Sequence, residues 1–317
     1  MPKPQNLSDR IYQFLGNNFS YLKWVYQLIS YKFHQLKKPS HLSWNQFQKI
    51  QYRPSKRVTF PSGSLKLVGD LYLGDRTDEK PVILLLHGSS VFGRKLPLIQ
   101  ALSQEFQQLG YSVFAFDARG YGESEKPQEY TPESLDFSQD VPSAIDFLSE
   151  TEGFANRRFY VIGHSFGGGV ALGAQARDSR IEKVAIFGPP RRLSERFLNV
   201  EAREKIKLLV RWQGDMQLDR PLGFEMWSKA LAPLNIENYA AAFSTPGHTP
   251  LFIIDAEDEP PADLAFLKAF YQRTVEPTDY WTVPQTNHYL DSGFRLNVPY
   301  YYPKTVRSFV ERIDRWE

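Results

Sequence analysis

The sequence predicts an α/β fold: a mostly parallel sheet with helices on both faces, an inserted helical cap and an N-terminal helical extension. Three observations support this class. From residue 56 onward, short apolar runs typical of strands buried on both faces alternate with helical patterns. One long stretch, residues 191–249, interrupts that alternation and lacks a strand pattern. The first 50 residues carry a separate basic and amphipathic pattern.

The core elements can be placed in chain order. Alternating apolar residues predict a hairpin at 57–60 and 65–72. Continuous apolar runs predict the remaining strands, at 82–86, 112–116, 159–162, 183–187, 251–254 and 280–283. Helical spacing predicts the helices, at 96–109, at 131–149, from the Gly-rich turn after the 159–162 strand to about 178, at 262–271 and at 298–316. Thr131 and Pro132 suit the N-cap and first turn of the second of these helices.

These elements divide the chain into three parts. A basic aromatic helical extension covers residues 1–50, and a core is formed by residues 51–190 and 250–317. Residues 191–249 form a helical cap inserted between two core strands. Large apolar side chains are frequent in this cap, namely Trp212, Met216, Phe224, Met226, Trp227 and Tyr239.

The charge is distributed unevenly along the chain. The total is +2, from 38 Lys or Arg against 36 Asp or Glu. Residues 1–60 contain ten basic residues and one acid, so their charge is +9 and the remainder carries −7. A balanced total excludes a polybasic nucleic-acid binder. The chain contains no Cys, which excludes disulfides, a thiolate nucleophile and Cys-ligated metals.

The extension has one apolar helical face, made by Leu15, Phe19, Leu22, Tyr26, Ile29, Phe33 and Leu36. Two interpretations stay open. The face packs on the body or on a second subunit, or residues 18–38 lie in a membrane interface with their lysines near anionic lipid. Lys23 and Lys32 interrupt the apolar stretches, so no transmembrane span is expected. No secretory signal is recognisable. We predict a cytoplasmic protein, with peripheral membrane contact as the second interpretation.

The strongest chemical motif is Gly163-His164-Ser165-Phe166-Gly167, which fits G-x-S-x-G between a strand and a helix. In that setting a sharp turn exposes the serine hydroxyl, and glycines allow the strand and helix to approach closely. The helix N-terminus after Ser165 supplies N–H groups for a developing oxyanion. Ser165 is therefore the candidate nucleophile.

Two further motifs follow the preceding strands, His87-Gly88-Ser89-Ser90 and residues 117–124 (DARGYGES). In order and spacing, the three motifs resemble those of the α/β-hydrolase superfamily, and the resemblance covers about residues 56–317. The most similar group includes esterases, lipases and proline-type aminopeptidases. The resemblance implies that the backbone N–H groups of Ser89 and Phe166 form the oxyanion hole. Arg119 is expected to tie loops beneath the site.

The same resemblance implies the base and the acid. The triad order in this fold is Ser, acid, His, and only His288 follows the last predicted strand. His87 and His164 belong to motifs, and supporting roles suit them better. Relatives commonly have Gly where Ala256 stands and the triad carboxylate three residues later, which selects Glu259. Asp258 remains the alternative acid.

The predicted function is therefore a serine hydrolase that cleaves an ester, thioester or amide through an acyl-enzyme, with carboxylesterase as the best single assignment. Aminopeptidase and acyltransferase activity on the same fold are alternatives. A non-catalytic, hydrolase-like interaction or membrane-recruited module is another. The expected partner is a small-molecule substrate rather than nucleic acid. The motifs predict no cofactor and no metal site.

Overall fold

The computed structural model describes residues 53–74, 80–151, 153–191, 193–194, 214–217, 222–284, 286–290 and 301–316. The predicted extension over residues 1–50 lies outside these ranges, as does much of the predicted cap. Both therefore stay predictions. In the described part of the chain, no helix combines the length and apolar character needed to span a membrane.

Within the described ranges, the strands form one eight-stranded sheet. Its strands are β1 (Lys56–Ser62), β2 (Leu65–Tyr72), β3 (Val82–Leu86), β4 (Ser112–Phe116), β5 (Phe159–His164), β6 (Ile181–Phe187), β7 (Leu251–Ala256) and β8 (Thr278–Val283). Their spatial order is β1-β2-β4-β3-β5-β6-β7-β8. Pairing is antiparallel only at β1–β2 and β2–β4, and parallel from β4 to β8. The predicted mostly parallel α/β sheet is confirmed.

The helices cover both faces of this sheet. They are α1 (Pro97–Gln108), α2 (Asp140–Ser149), α3 (Phe166–Gln175), α4 (Phe224–Leu231), α5 (Pro261–Tyr271) and α6 (Tyr301–Asp314). Alternation along the strands feeds two apolar cores: Leu84 and Leu86 pack with α2 and α3, whereas Ile83 and Leu85 pack with α1 and α6. Each central strand is therefore buried on both faces, which explains its continuous apolar sequence.

The predicted helix over 131–149 is wrong in its first half. The α-helix begins at Asp140, after a 3₁₀ turn at Phe137–Gln139. Thr131 and Ser134 exchange hydrogen bonds between their hydroxyls and backbone N–H groups, at 2.9 and 3.1 Å. Such local side-chain bonds compete with helix formation and close a turn instead. This turn is also held by Arg119, whose Nη1 donates to the carbonyl of Ser134 at 2.8 Å.

The described part of the predicted cap is helical and packs closely on the core. Helix α4 is followed by short 3₁₀ turns at Ala232–Leu234 and Ile236–Tyr239. Trp227 and Leu231 of α4 are fully buried in the same apolar cluster as α3. Helix α4 therefore contributes directly to the stability of the α3 face of the sheet.

A buried ion cluster joins the loops that follow β3 and β4. The Arg94 side chain is fully buried and forms ion pairs with Asp117, with Asp70 at 3.0 Å and with Glu123 at 2.7 Å. The Asp117 carboxylate also accepts hydrogen bonds from the backbone N–H groups of Arg94 and Glu123, at 2.6 and 2.8 Å. The two loops are thus held in one arrangement relative to β2.

We expect Arg94→Met to lower the free energy of unfolding by about 3–5 kcal/mol, because the buried Asp117 carboxylate loses its compensating charge. Urea unfolding followed by circular dichroism measures this. Lys95→Met is the matched control: Lys95 pairs with the same Glu123 but is exposed, so a change below about 1 kcal/mol is expected. Equal effects of both variants would contradict a dominant role for the buried cluster.

Candidate active site

Ser165 lies in a strained turn between β5 and α3. Its backbone has φ of 53° and ψ of −121°. Residues other than glycine rarely adopt this backbone conformation, and it persists only when the surrounding structure enforces it. Its N–H donates to the carbonyl of Phe187 at 2.7 Å. A Cβ at Gly163 would lie 2.1 Å from the carbonyl oxygen of Gly167. Glycine at position 163 therefore permits the turn that presents the Ser165 hydroxyl.

The candidate site residues meet at the carboxyl ends of the parallel strands. Ser89 follows β3, Ser165 follows β5, Glu259 follows β7 and His288 follows β8. All four line one cavity of about 100 Å³. The fold brings them together because parallel neighbours end at the same edge of the sheet, where ligands bind in open α/β structures.

His288 and Glu259 are in direct contact. Nδ1 of His288 lies within hydrogen-bonding distance of Oε1 of Glu259. The sequence left Glu259 and Asp258 open, and the two residues differ clearly in the structure. The Asp258 side chain is exposed, while its backbone N–H donates to the carbonyl of Thr286 at 3.0 Å. Glu259, not Asp258, is therefore the carboxylate that the turn directs at the imidazole.

The two predicted oxyanion donors lie on either side of Ser165. Phe166 is the first residue of α3, at the helix N-terminus, where the helix dipole is positive. Ser89 lies in the loop after β3. Its hydroxyl is 3.1 Å from the Tyr121 hydroxyl and donates to Asp215 at 3.3 Å. Asp215 belongs to the predicted cap, so a cap residue contacts the loop that carries Ser89.

His87, at the start of the loop that carries Ser89, connects this loop to the segment after β4. Ala118 donates its backbone N–H to Nε2 of His87 at 3.1 Å, so Nδ1 carries the proton and donates to the carbonyl of Gly88 at 2.8 Å. Burial lowers the pKa of His87, which keeps the ring neutral. The supporting role expected of His87 matches these contacts, whereas its partners could not be read from the sequence.

Sequence reasoning missed several residues that line the cavity. They are Leu96, Pro189, Pro190, Asp255, Asp263, Leu267 and Tyr289. Asp255 carries a sequence signal, because a charged residue near the carboxyl end of an otherwise apolar strand faces the edge where ligands bind. Among the described residues, no group of three or more His, Asp or Glu side chains is arranged to hold a metal ion.

Asp255 is a buried carboxyl beside the Glu259 carboxylate. Its Oδ2 contacts the Tyr280 hydroxyl, while Oδ1 has no hydrogen-bond partner among the described residues. Desolvation is the main reason that the pKa of Asp255 rises to about 6, and repulsion by Glu259 and Asp263 adds to the shift. The ionised form is thus penalised in the folded protein.

Asp255→Asn should raise the free energy of unfolding at pH 8 by about 1–3 kcal/mol, because it removes the buried charge. The pKa of Asp255 is about 6 in the folded chain, against 3.8 for an ordinary Asp. Protonation therefore favours folding as the pH falls from about 6 to about 4, and the advantage of the variant fades over that window. Urea unfolding at pH 8, 6 and 4 measures it.

The exposed neighbour Asp258 provides the control for this experiment. Asp258→Asn should change the stability little and without this pH dependence, because its carboxylate is already solvated. A constant difference between Asp255→Asn and the unmodified chain from pH 8 to pH 4 would contradict the assignment of a buried, ionisable carboxyl.

The sheet order, the turn at Ser165 and the edge on which these residues meet define an α/β hydrolase. A family model described as "Serine aminopeptidase, S33" (Hydrolase_4) matches residues 77–274, well over half of the chain. The chain belongs to this family, which confirms the resemblance to the α/β-hydrolase superfamily.

Curated relatives match over shorter stretches. The thiohydrolase aneE of Aspergillus aculeatus is 35% identical over 127 residues, covering 39% of this chain and 38% of that protein. The monoacylglycerol lipase of Mycolicibacterium smegmatis is 28% identical over 115 residues, covering 36% of this chain and 39% of that protein. The chain thus spans about two fifths of the length of these relatives.

Solved structures match over much more of the chain. The Penicillium α/β hydrolase GrgF has a TM-score of 0.57 at 18% identity, covering 82% of this chain and 96% of its own. Est1E of Butyrivibrio proteoclasticus, solved with ferulic acid, has a TM-score of 0.56 at 15% identity, covering 81% of this chain and 100% of its own. At these identities the likeness shows the fold alone.

Proposed function

We propose that the protein is a serine hydrolase that cleaves carboxylic esters through an acyl-enzyme on Ser165. The observation that carries this proposal is the contact between His288 and Glu259 in the cavity that also holds Ser165. A nucleophilic serine needs a base within reach, and the base needs a partner that fixes its tautomer. The shared cavity and the contact between His288 and Glu259 support this combination for Ser165.

In the proposed reaction Ser165 Oγ attacks the substrate carbonyl while Nε2 of His288 takes the hydroxyl proton. The tetrahedral oxyanion is stabilised by the backbone N–H groups of Ser89 and Phe166. Collapse breaks the bond to the leaving group, which receives the proton from His288. Water, deprotonated by the same imidazole, then releases the acid and restores Ser165. Glu259 orients His288 and stabilises its charged form.

The choice of an ester rests on the relatives and on the cavity walls. The matched relatives include a thiohydrolase and a monoacylglycerol lipase, and the second name denotes an ester substrate of that protein. Leu96, Pro189, Pro190 and Leu267 supply the apolar part of a mostly polar lining, and an acyl group would be placed against them. Thioester cleavage remains within the same chemistry.

A fluorophosphonate probe tests the nucleophile, because it reacts with activated serines. The unmodified chain should be labelled at Ser165, and Ser165→Ala should abolish labelling and lower kcat for p-nitrophenyl esters by about 10⁶. Ser143→Ala is the matched control and should behave like the unmodified chain, since Ser143 lies on α2. Absence of labelling in protein shown to be folded would refute the enzymatic proposal and favour an interaction module.

The acid is tested by a pair of variants in one turn. Glu259→Gln should lower kcat by about 10⁴, because the amide supports the wrong imidazole tautomer. Asp258→Asn should leave kcat within about twofold, because that side chain is exposed. Both are measured with the same p-nitrophenyl ester. The opposite ranking of the two variants would assign the acid to Asp258.

A substrate panel separates the proposed esterase from its alternatives. It contains p-nitrophenyl esters of varied chain length, an acyl thioester and aminoacyl p-nitroanilides. We expect the highest kcat/KM for an ester. Faster cleavage of aminoacyl anilides would identify an aminopeptidase, and accumulation of a new ester when an alcohol is added would identify an acyltransferase.

A further inference from the structure

His164 is a buried imidazole that takes no part in the proposed acyl transfer. It is the last residue of β5 and directly precedes Ser165 in the chain. Only 2% of its surface is exposed. Burial of a histidine side chain lowers the stability of the fold through desolvation unless its ring nitrogens form hydrogen bonds. Its surroundings therefore indicate what the side chain does.

Among the described residues, the His164 ring has one hydrogen bond, and it goes to the main chain of His288. Nε2 of His164 lies 2.8 Å from the backbone carbonyl oxygen of His288. A carbonyl oxygen can only accept, so Nε2 carries the proton and donates it. Burial, with repulsion from His288, keeps the pKa of His164 well below its usual value. The ring is therefore a neutral Nε2–H tautomer whose donor is committed to His288.

Packing prevents the ring from leaving this position. It stacks on Phe187 of β6, with centroids 5.3 Å apart and an interplanar angle of 28°. Its centroid lies 4.8 Å from that of His288. On the side of the loop after β3, even a Cβ on Gly88 would come within 3.0 Å of Nδ1. The imidazole is enclosed by three segments and presents its N–H in one direction.

His288 is the part of the site that most needs such support. It lies in a turn beyond the end of β8 rather than in a helix or strand. Glu259 holds its side chain through Nδ1, but this contact does not fix the main chain. The Asp258 N–H holds the nearby carbonyl of Thr286, and the bond from His164 holds the carbonyl of His288 itself. Because His164 and Ser165 are consecutive, this attachment links His288 to Ser165 through a single peptide unit.

We propose that His164 is a positioning residue, which fixes the main chain of His288 relative to Ser165 through its Nε2–H bond. The proposal rests on the roles of Ser165 and His288 in the proposed function. A displacement of about 1 Å between reacting groups can cost about 10² in rate. Loss of the bond should therefore act on kcat rather than on substrate binding.

Two variants of the full chain separate the hydrogen bond from the packing. His164→Phe keeps a planar ring but removes the donor, so kcat for a p-nitrophenyl ester should fall about 10–100-fold with KM within about twofold. His164→Gln places an amide N–H the same number of bonds from Cα, so it should restore kcat to within about fivefold of the unmodified chain. Equal losses in both variants, or no loss in His164→Phe, would overturn the proposal.

His248→Phe is the matched control for histidine replacement. The His248 ring also contacts backbone carbonyls, those of Thr249 and Val275, but it lies outside the cavity. We expect unchanged kcat in this variant. Thermal unfolding of all three variants accompanies the kinetics, so that a loss of folded protein is not counted as a loss of rate.

NMR of ¹⁵N-histidine-labelled protein tests the bond independently of any activity. The His164 ring should show the Nε2–H tautomer and should not titrate between pH 8 and pH 5. The ring signals of His288 should shift in His164→Phe and return towards their original positions in His164→Gln. A titrating His164, or an Nδ1–H tautomer, would overturn the inference even in a chain that hydrolyses esters. A chain that shows the tautomer but lacks fluorophosphonate labelling would refute the proposed function instead, and with it the positioning role.

Discussion

The backbone conformation of Ser165 is the constraint on which the rest of the site depends. A non-glycine residue in such a conformation costs about 1–3 kcal/mol, so the surrounding structure must enforce it. Two features do so here: the bond from the Ser165 N–H to Phe187, and the close approach of Gly163 to Gly167. Strand β5 lies between β3 and β6 in the middle of the sheet, so the strained residue follows a strand that is hydrogen-bonded on both sides.

The loops around Ser165 are held in place by buried polar side chains as well as by the sheet. The Arg94–Asp117 cluster fixes the loops after β3 and β4, and His87 joins the same two strand ends from inside. On the other side of Ser165, His164 reaches the segment after β8. Each of these side-chain contacts joins two segments that are not paired as β-strands where the contact is made. The loops at the site are therefore held by side chains, which a strand pattern alone does not reveal.

The strands follow from local sequence patterns, whereas the loops at the site depend on side-chain contacts. This difference explains what could be predicted from the sequence. The central strands were predictable because burial on both faces demands continuous apolar residues, as in Val82–Leu86. Ser165 was predictable because its conformation demands local glycines. The start of α2 was not, since the Thr131 and Ser134 hydroxyls close a turn where propensity and the proline favour a helix.

Contacts between distant residues were likewise beyond the sequence. The family resemblance favoured Glu259 over Asp258, but the contact of Glu259 with His288 depends on the three-dimensional path of the turn. The same holds for His164 and His288, which lie 124 positions apart in the chain. Motif spacing predicted which residues in each segment belong to the site. The distances between side chains of different segments depend on how the strands pair in the sheet.

The charges around the cavity match the separation of charge that the proposed acyl transfer would produce. In the proposed reaction a positive imidazolium forms at His288 while a negative oxyanion forms near Ser89 and Phe166. Asp255, Glu259 and Asp263 all lie on the wall formed by β7 and α5. In the proposed reaction, carboxylates on this wall would attract the imidazolium. The opposite side presents the N-terminus of α3, where the helix dipole favours an anion. Asp255 therefore lowers the stability of the fold at a position where a negative potential would assist His288 as the proposed base. Such a conflict between stability and activity is expected at active sites.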